Sequence, residues 1–323
     1  MSVAVTSGYY TSGSTTDAYA GKFIPEIWSG KLQAKFYSST VLAEITNNDW
    51  EGEIRDMGDK VQIRTIPNIT INNYTKGLTL ATEVPTTSLV ELNIDQGKYF
   101  QVVVDDVDKI QSDLSLMDIF TNDASQQLKI NIDTAVLLGI KGGASADNRG
   151  TTAGKFSNID LGSSSGTKTA ILVEKGDVID HIVEMGQVLD EQSAPEEGRW
   201  LVINPAIASR IKTSDLKDAS ITGDTQTPLR NGRLGMIDRF TVYVSNLLPT
   251  DSTSVAGEGS DTSVTGTAIY AGTKDAITFA SQISNVETLR STATFGNIVR
   301  GLNVFGYKVV KPEALVEAFV YTK

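Results

Sequence analysis

Tyr99-Phe100-Gln101-Val102-Val103-Val104-Asp105-Asp106-Val107-Asp108 is the stretch on which the fold turns. Its first half is a run of aromatic and β-branched residues that favours a strand, and it then steps down onto acids, which favour the start of a helix. Just beyond stands Ser112, a candidate N-cap. Leu114, Met117, Phe120, Ala124, Leu128, Ile132, Ala135 and Leu138 then recur at helical spacing until Gly139 and Gly142-Gly143 stop the pattern. A strand therefore feeds one long helix. At ~1.5 Å per residue it runs about 40 Å, long enough to act as a strut whose apolar stripe packs on a sheet.

Upstream, Lys60-Val61-Gln62-Ile63-Arg64-Thr65-Ile66 alternates polar and apolar residues, and Leu89 to Ile94 alternates again through Val90 and Leu92. The two segments predict a long hairpin. Its connection, roughly Asn72 to Thr87, contains Asn72-Asn73, Lys76-Gly77 and Pro85 and exceeds the length of ordinary hairpin loops. Such a two-stranded ribbon is marginal alone. Further upstream, Ile24, Trp28, Leu32, Phe36 and Val41 predict an amphipathic helix over Phe23 to Ala43, with Pro25 in the first turn and a break near Ser38. Residues 1 to 21 are Ser, Thr, Gly, Tyr and Ala with almost no charge, the composition of an arm that does not order itself alone.

Downstream, Lys141 to Thr169 is small and polar and is expected to be a flexible loop or domain junction. A second helix is predicted from Asp177 to Leu189, with Val178, Ile182, Met185 and Leu189 on one face. Arg199-Trp200-Leu201-Val202-Ile203 reads as a strand ending at Asn204-Pro205, and Ala206 to Ile211 starts another helix. Phe240 to Val244 is a strand, Ser252 to Thr265 a polar loop. Ala268 to Ala271, Ala276 to Ala280, Tyr307 to Val310 and Ala318 to Tyr321 are short strands. No internal repeat or coiled-coil heptad is present.

The 323 residues, 40% of them hydrophobic, can bury a core of about two domains, and the balance of residue types points to a mixed fold. The net charge of -11 opposes broad non-specific binding to nucleic acid. With no Cys there is no disulfide, thiolate nucleophile or Cys-ligated metal site. The sequence shows no signal-peptide pattern and no run of membrane-spanning length, so the chain is expected to stay in the cytosol where it is made.

A search for reactive constellations returns none. His181, the one histidine, lies between Asp177 and Glu184 near the polar face of its helix and has no second ligand to share a metal. Gly162-Ser163-Ser164-Ser165-Gly166 has the letters of a nucleophile elbow but sits in a Ser/Gly loop, and its histidine follows too soon. Gly166-Thr167-Lys168-Thr169 lacks the preceding strand and lysine placement of a phosphate loop. Asp105, Asp106 and Asp108 suit a helix entry better than a cation site. Asp190, Glu191, Glu196 and Glu197 lack EF-hand spacing and read as a charged loop. Asn68-Ile69-Thr70 and Asn73-Tyr74-Thr75 are glycosylation sequons by letter alone. No catalytic, cofactor-binding or metal-ligating residue is assigned, and the chain is expected not to be an enzyme.

The order of arm, helix, ribbon, strut helix, central α/β region and strand-rich end resembles the Hong Kong 97-type phage capsid fold. The local likeness lies in Gln101 to Asp108 running into Gln126-Gln127-Leu128-Lys129 and Ile132-Asp133. It continues in Leu201-Val202-Ile203-Asn204-Pro205, in Gly235-Met236-Ile237-Asp238-Arg239-Phe240 on to Asn246, and in Val299-Arg300-Gly301-Leu302-Asn303-Val304-Phe305-Gly306-Tyr307. The resemblance implies an α+β fold with residues 1–50 as N-terminal arm, 51–100 as the extended E-loop, 101–170 with 266–323 as a peripheral domain holding a spine helix, and 171–265 as an axial domain. It implies a major capsid protein that forms hexamers and pentamers of itself and encloses DNA without specific recognition. A separate scaffolding protein, a portal and a possible decoration protein would be its partners. It would act in the virion after assembly in the host cytoplasm, with no membrane and no cofactor. Lys76 lies near the ribbon tip, but no acceptor Asn or catalytic Glu motif matches it, so covalent self-cross-linking is not expected. Two alternatives are an encapsulin-like compartment shell and, from another class, a glycan-binding or hydrolytic β-rich domain. Against the latter, Trp28, Trp50 and Trp200 are widely separated.

Overall fold

The computed structural model describes residues 37–49, 60–67, 69–80, 82–87, 89–106, 116–165, 168–214, 235–254, 263–292 and 295–323. The described residues all fall within one compact unit, Phe36–Lys323. In chain order it comprises α1 (Leu42–Ile45), β1 (Lys60–Arg64), β2 (Leu89–Asn93), β3 (Gln96–Asp105), α2 (Leu116–Gly139), β4 (Ile171–Leu172) and α3 (Val178–Glu191). It continues with β5 (Arg199–Ile203), α4 (Pro205–Thr213), β6 (Met236–Ile237), β7 (Phe240–Val244), β8 (Thr250–Ser254), β9 (Ser263–Thr273), β10 (Ile277–Arg290), β11 (Gly296–Val309) and β12 (Leu315–Tyr321).

The core gathers on a seven-stranded mixed sheet in the order β4-β12-β9-β5-β7-β6, with β8 beside β9. Every residue of β5 and of β12 is buried, the continuous pattern of strands covered on both faces. On one face Val178, Ile182 and Met185 of α3 and Ile207 of α4 meet Ile203, Ile269 and Val320 of the sheet. Tyr270 points the other way, and its hydroxyl donates to the Leu137 carbonyl at the end of α2 (3.1 Å). Local chemistry sets the element ends. Asn204 caps α4 by accepting from Ile207 N (2.8 Å), with Pro205 in the first turn. Asp238 and Arg239, at φ 44° and 64°, form the two-residue turn of the β6/β7 hairpin; both φ values are positive, as in a type I′ turn.

A second, three-stranded antiparallel sheet runs β10-β11-β3. β10 and β11 are 14 residues each, so the short strands expected near Ala276 and Tyr307 are the ends of one long hairpin. Ser281 to Gly306 escaped detection because Asn, Ser and Gly interrupt the alternation, yet Gly301 has a reason. The Phe100 ring of β3 lies across it, where any Cβ would collide.

Of the predicted helix over Phe23 to Ala43, residues up to Phe36 lie outside the described set; Tyr37–Thr40 is not helical, at the break expected near Ser38, and the single turn α1 follows. Asp133 of α2 holds that turn: its buried carboxylate accepts from Val41 N and Leu42 N at 3.0 Å each and so caps α1 from a distant element. Burial pushes the Asp133 carboxyl up, against those two amide bonds. Three other expectations are corrected.

The stripe of α2 differs in part: Ile132 is buried and Leu128 and Ala135 pack half-buried against the core as predicted, but Asp133, Val136 and Leu137, with Ile140 just past the helix, are buried as well, whereas Phe120 and Leu138 are exposed. Ser112 lies outside the described residues, and Gly139 ends the pattern for a packing reason, since the Tyr307 ring rests directly on its Cα.

The segment Lys141 to Thr169 is packed rather than a loose loop. Ala153 bridges Ile159 and Ser163 bridges Thr169, Ala153 and Leu161 are buried, and Asn148 Nδ2 donates to the carbonyls of Glu313 (2.7 Å) and Leu315 (3.0 Å). Backbone bridges fold the segment on itself, and a polar side chain that suggested a linker, Asn148, ties it to the chain beside β12. The polar loop expected over Ser252 to Thr265 is also strand at both described ends. Thr250–Ser254 pairs with Ser263–Thr267 as an edge hairpin, where Thr and Ser suit a solvated edge.

Candidate assembly surface

The β1/β2 ribbon pairs Lys60 with Asn93 through to Arg64 with Leu89. At its foot Ile63, Leu92 and Ile94 bury themselves against Ala280, with Val304 and Val310 alongside, and Lys60 pairs with Glu91 across the strands (3.7 Å). Beyond Arg64 the ladder stops, and the chain extends to a turn in which Leu78 N donates to Thr75 O (3.1 Å), with Gly77 at φ 91°. Ile66 is 96% exposed, Ile71 90% and Val84 81%, and Ile69, Tyr74, Leu78 and Leu80 are exposed too. Covering apolar side chains contributes about 1.5–3 kcal/mol each, so the ribbon holds on the order of 10 kcal/mol that only another surface can release.

A second apolar surface lies on the outer face of the three-stranded sheet. The register sets Tyr99 opposite Leu302, Gln101 opposite Arg300, and Leu289 and Val103 each opposite Ile298. Tyr99, Val103, Leu289 and Leu302 are exposed, and Arg300 pairs with Glu287 in their midst (2.7 Å).

None of the residues weighed for chemistry converges on a reactive site. His181 is half-buried, and its Nδ1 lies 3.0 Å from Glu184, so it is less solvated than its helical position suggested. Ser164 is buried and donates to Glu317, and Gly162 turns at φ 71° with no strand leading into a nucleophile; Gly166 and Thr167 lie outside the described residues. Asp106 pairs with Arg290, and Asp108 lies outside the described residues. Of the sequons, Asn73 is exposed on the ribbon and Asn68 lies outside. Trp200 is buried in the core, while Trp28 and Trp50 lie outside. Among the described residues no group of three or more His, Asp or Glu is placed to hold a metal, and no helix is long and apolar enough to cross a membrane.

The second acidic cluster holds the fold together. Arg199, whose side chain is fully buried, donates to Asp190 (2.6 Å) and to the carbonyls of Pro195 (2.8 Å) and Ala194 (3.0 Å), while Arg239 reaches Asp190 (2.8 Å) and Glu196 (3.2 Å). Partial burial works to raise the Asp190 carboxyl, but Arg239 and Arg199 hold it below the usual range. Sequence reasoning missed this clamp, although an arginine opening an apolar strand was the signal. Glu191 accepts from Ser157 Oγ (2.6 Å), Phe156 N (2.8 Å), Gln187 Nε2 (3.1 Å) and Ser157 N (3.3 Å). The Ser157 hydroxyl and the Phe156 amide bring its pKa down to about 2. A carboxyl lowered from 4.5 contributes stability that is complete above pH 4.5 and is lost as pH falls toward about 2. Hydrogen-exchange protection of the Phe156 and Ser157 amides should therefore vanish over that window and be pH-independent in Glu191→Gln; unchanged protection at pH 2 would refute the assignment.

A family model described as phage capsid protein matches residues 89–318, more than half of the chain. A solved chain from Mycobacterium phage Che8 is 27% identical with a TM-score of 0.73, over 91% of this chain and 96% of that one. The capsid structure of the cyanophage P-SCSP1u shares the fold at 16% identity and TM-score 0.66, over 93% of each chain. So does the mature capsid of bacteriophage PhiM1, at 15% and 0.63, over 96% of this chain and 97% of that one. No curated protein matches the chain. With the family model and the mixed α/β fold in agreement, the chain belongs to the phage capsid protein family.

Proposed function

We propose that this major capsid protein builds the phage head shell by laying its ribbon over neighbouring copies, as the E-loop of the Hong Kong 97-type fold. The observation that carries this reading is the row of exposed apolar residues from Ile66 to Val84 on a ribbon whose ladder ends at Arg64. In this reading α2, 24 residues and about 36 Å long, is the spine helix. Residues 1–50 are the arm, 51–100 the E-loop, 101–170 with 266–323 the peripheral domain and 171–265 the axial domain. The subunits form hexamers and pentamers in the host cytoplasm, guided by a separate scaffolding protein, and join a portal and a decoration protein. The acidic net charge suits a wall that encloses DNA without specific contact. The chain does no chemistry of its own.

Burial between subunits is the energy source, so assembly and ordering of the ribbon are linked. Removal of residues 72–86 is expected to leave a folded, soluble subunit or capsomer, with closed shells reduced below detection in sedimentation. Normal shells from this deletion would overturn the reading.

A further inference from the structure

The loop held by Glu191 presents a feature that the ribbon does not explain. Ala153 and Ile159 bond each other in both directions (2.8 and 2.7 Å), and between them the chain turns through Gly154 at φ 95°. Phe156 stands at the apex of this loop, 83% exposed, with Lys155 Nζ 5.6 Å from its ring centroid. Its own amide and that of Ser157 are tied to Glu191, so the backbone beneath the ring is fixed before any partner arrives. A fixed aromatic loses little freedom when covered, which is the property of residues that anchor interfaces.

Glu191 ends α3, and the same helix carries the complement of this finger. Asp180, Glu184, Gln187 and Glu191 follow one another at i+4, i+3 and i+4 along a single stripe. Beside them Val183 is 45% exposed, an apolar spot rimmed by the exposed Asp180 and by the half-buried Glu184, whose carboxylate also meets His181 Nδ1 (3.0 Å). It lies about 12 Å along the helix from Glu191, at ~1.5 Å per residue. Within one subunit neither Phe156 nor Val183 is covered.

We propose that the Lys155-Phe156 finger of one copy docks on the Val183 patch of a second copy of this chain, with Lys155 facing Asp180 and Glu184. The finger is one anchor within a larger subunit interface, and the proposal rests on the head-shell reading because it needs copies side by side. The patch and Glu191, which fixes the finger, lie on the same helix, and finger and patch belong to one chain, so each copy offers both halves of the contact.

The test is a charge exchange in the full chain, scored as yield of closed shells by sedimentation. Lys155→Glu and the pair Asp180→Lys with Glu184→Lys are each expected to lower the yield about tenfold or more, as like charges meet. Combining all three restores it, and Phe156→Ala lowers it without rescue. Thermal unfolding of the subunits should be unchanged in Lys155→Glu and Phe156→Ala, whose side chains are exposed, whereas Glu184→Lys also gives up the contact with His181 and is scored on shell yield relative to its own folded subunit. Single variants that assemble like the parent, or a combination no better than its parts, overturn the proposal. If the parent chain itself forms no shells, the head-shell reading fails with it.

Discussion

Arg199→Ala lowers the stability of the unassembled subunit by about 3–5 kcal/mol, the range expected when a large buried side chain is lost and its hydrogen-bond partners stay buried. The guanidinium reaches the carbonyls of Ala194 and Pro195, which follow α3, and Asp190 within it; alanine leaves the carbonyls unpaired and a hole beneath β5. Arg199→Lys recovers less than half, because one ammonium cannot span a carboxylate and two carbonyls set out for a planar fork. Arg239→Ala, which removes only the outer, solvent-screened half of the clamp from Asp190, costs far less. Denaturant unfolding of the three variants checks this order, and an Arg199→Ala midpoint close to that of Arg239→Ala would refute it.

The second large effect belongs to Gly306 on β11. A Cβ at that position would collide with the Asn93 carbonyl oxygen and come within 3.0 Å of Ile94 Cα, both backbone atoms at the foot of the ribbon. Backbone cannot swing aside as a side chain can, so Gly306→Ala displaces β2 from β11 and costs about 2–3 kcal/mol. Because the same contact sets the direction in which the ribbon leaves the subunit, shell yield falls further than stability. Gly97→Ala, in the neighbouring strand of the same sheet with open space around it, is the control and is close to neutral. Equal behaviour of the two variants in unfolding and assembly would contradict this account of the ribbon foot.

What could be read from the sequence divides along physical lines. The ribbon strands, α3, β5, β7 and most of α2 were legible because each carries a period of its own, alternation or helical spacing, that survives without its neighbours. α1 was not, since its shape is imposed by Asp133, some ninety residues away. Lys141 to Thr169 was misread because composition reports side-chain size and polarity, and not whether Asn148 and Ser164 will find Glu313 and Glu317. The long β10/β11 hairpin was hidden by glycines that read as breaks until Phe100 and the Asn93 backbone are seen lying on them. The assembly surface was half legible. An extended ribbon could be inferred from alternation and loop length, but that Ile66, Ile71 and Val84 stay uncovered is a property of the folded subunit. The finger at Phe156 left no periodic trace, as its shape depends on Glu191.

Electron microscopy of the full chain, expressed with and without a scaffolding partner, addresses the central claim most directly. Closed shells or rings of capsomers in at least one condition are the predicted result. A uniform small particle in both, with the subunit folded, would contradict it.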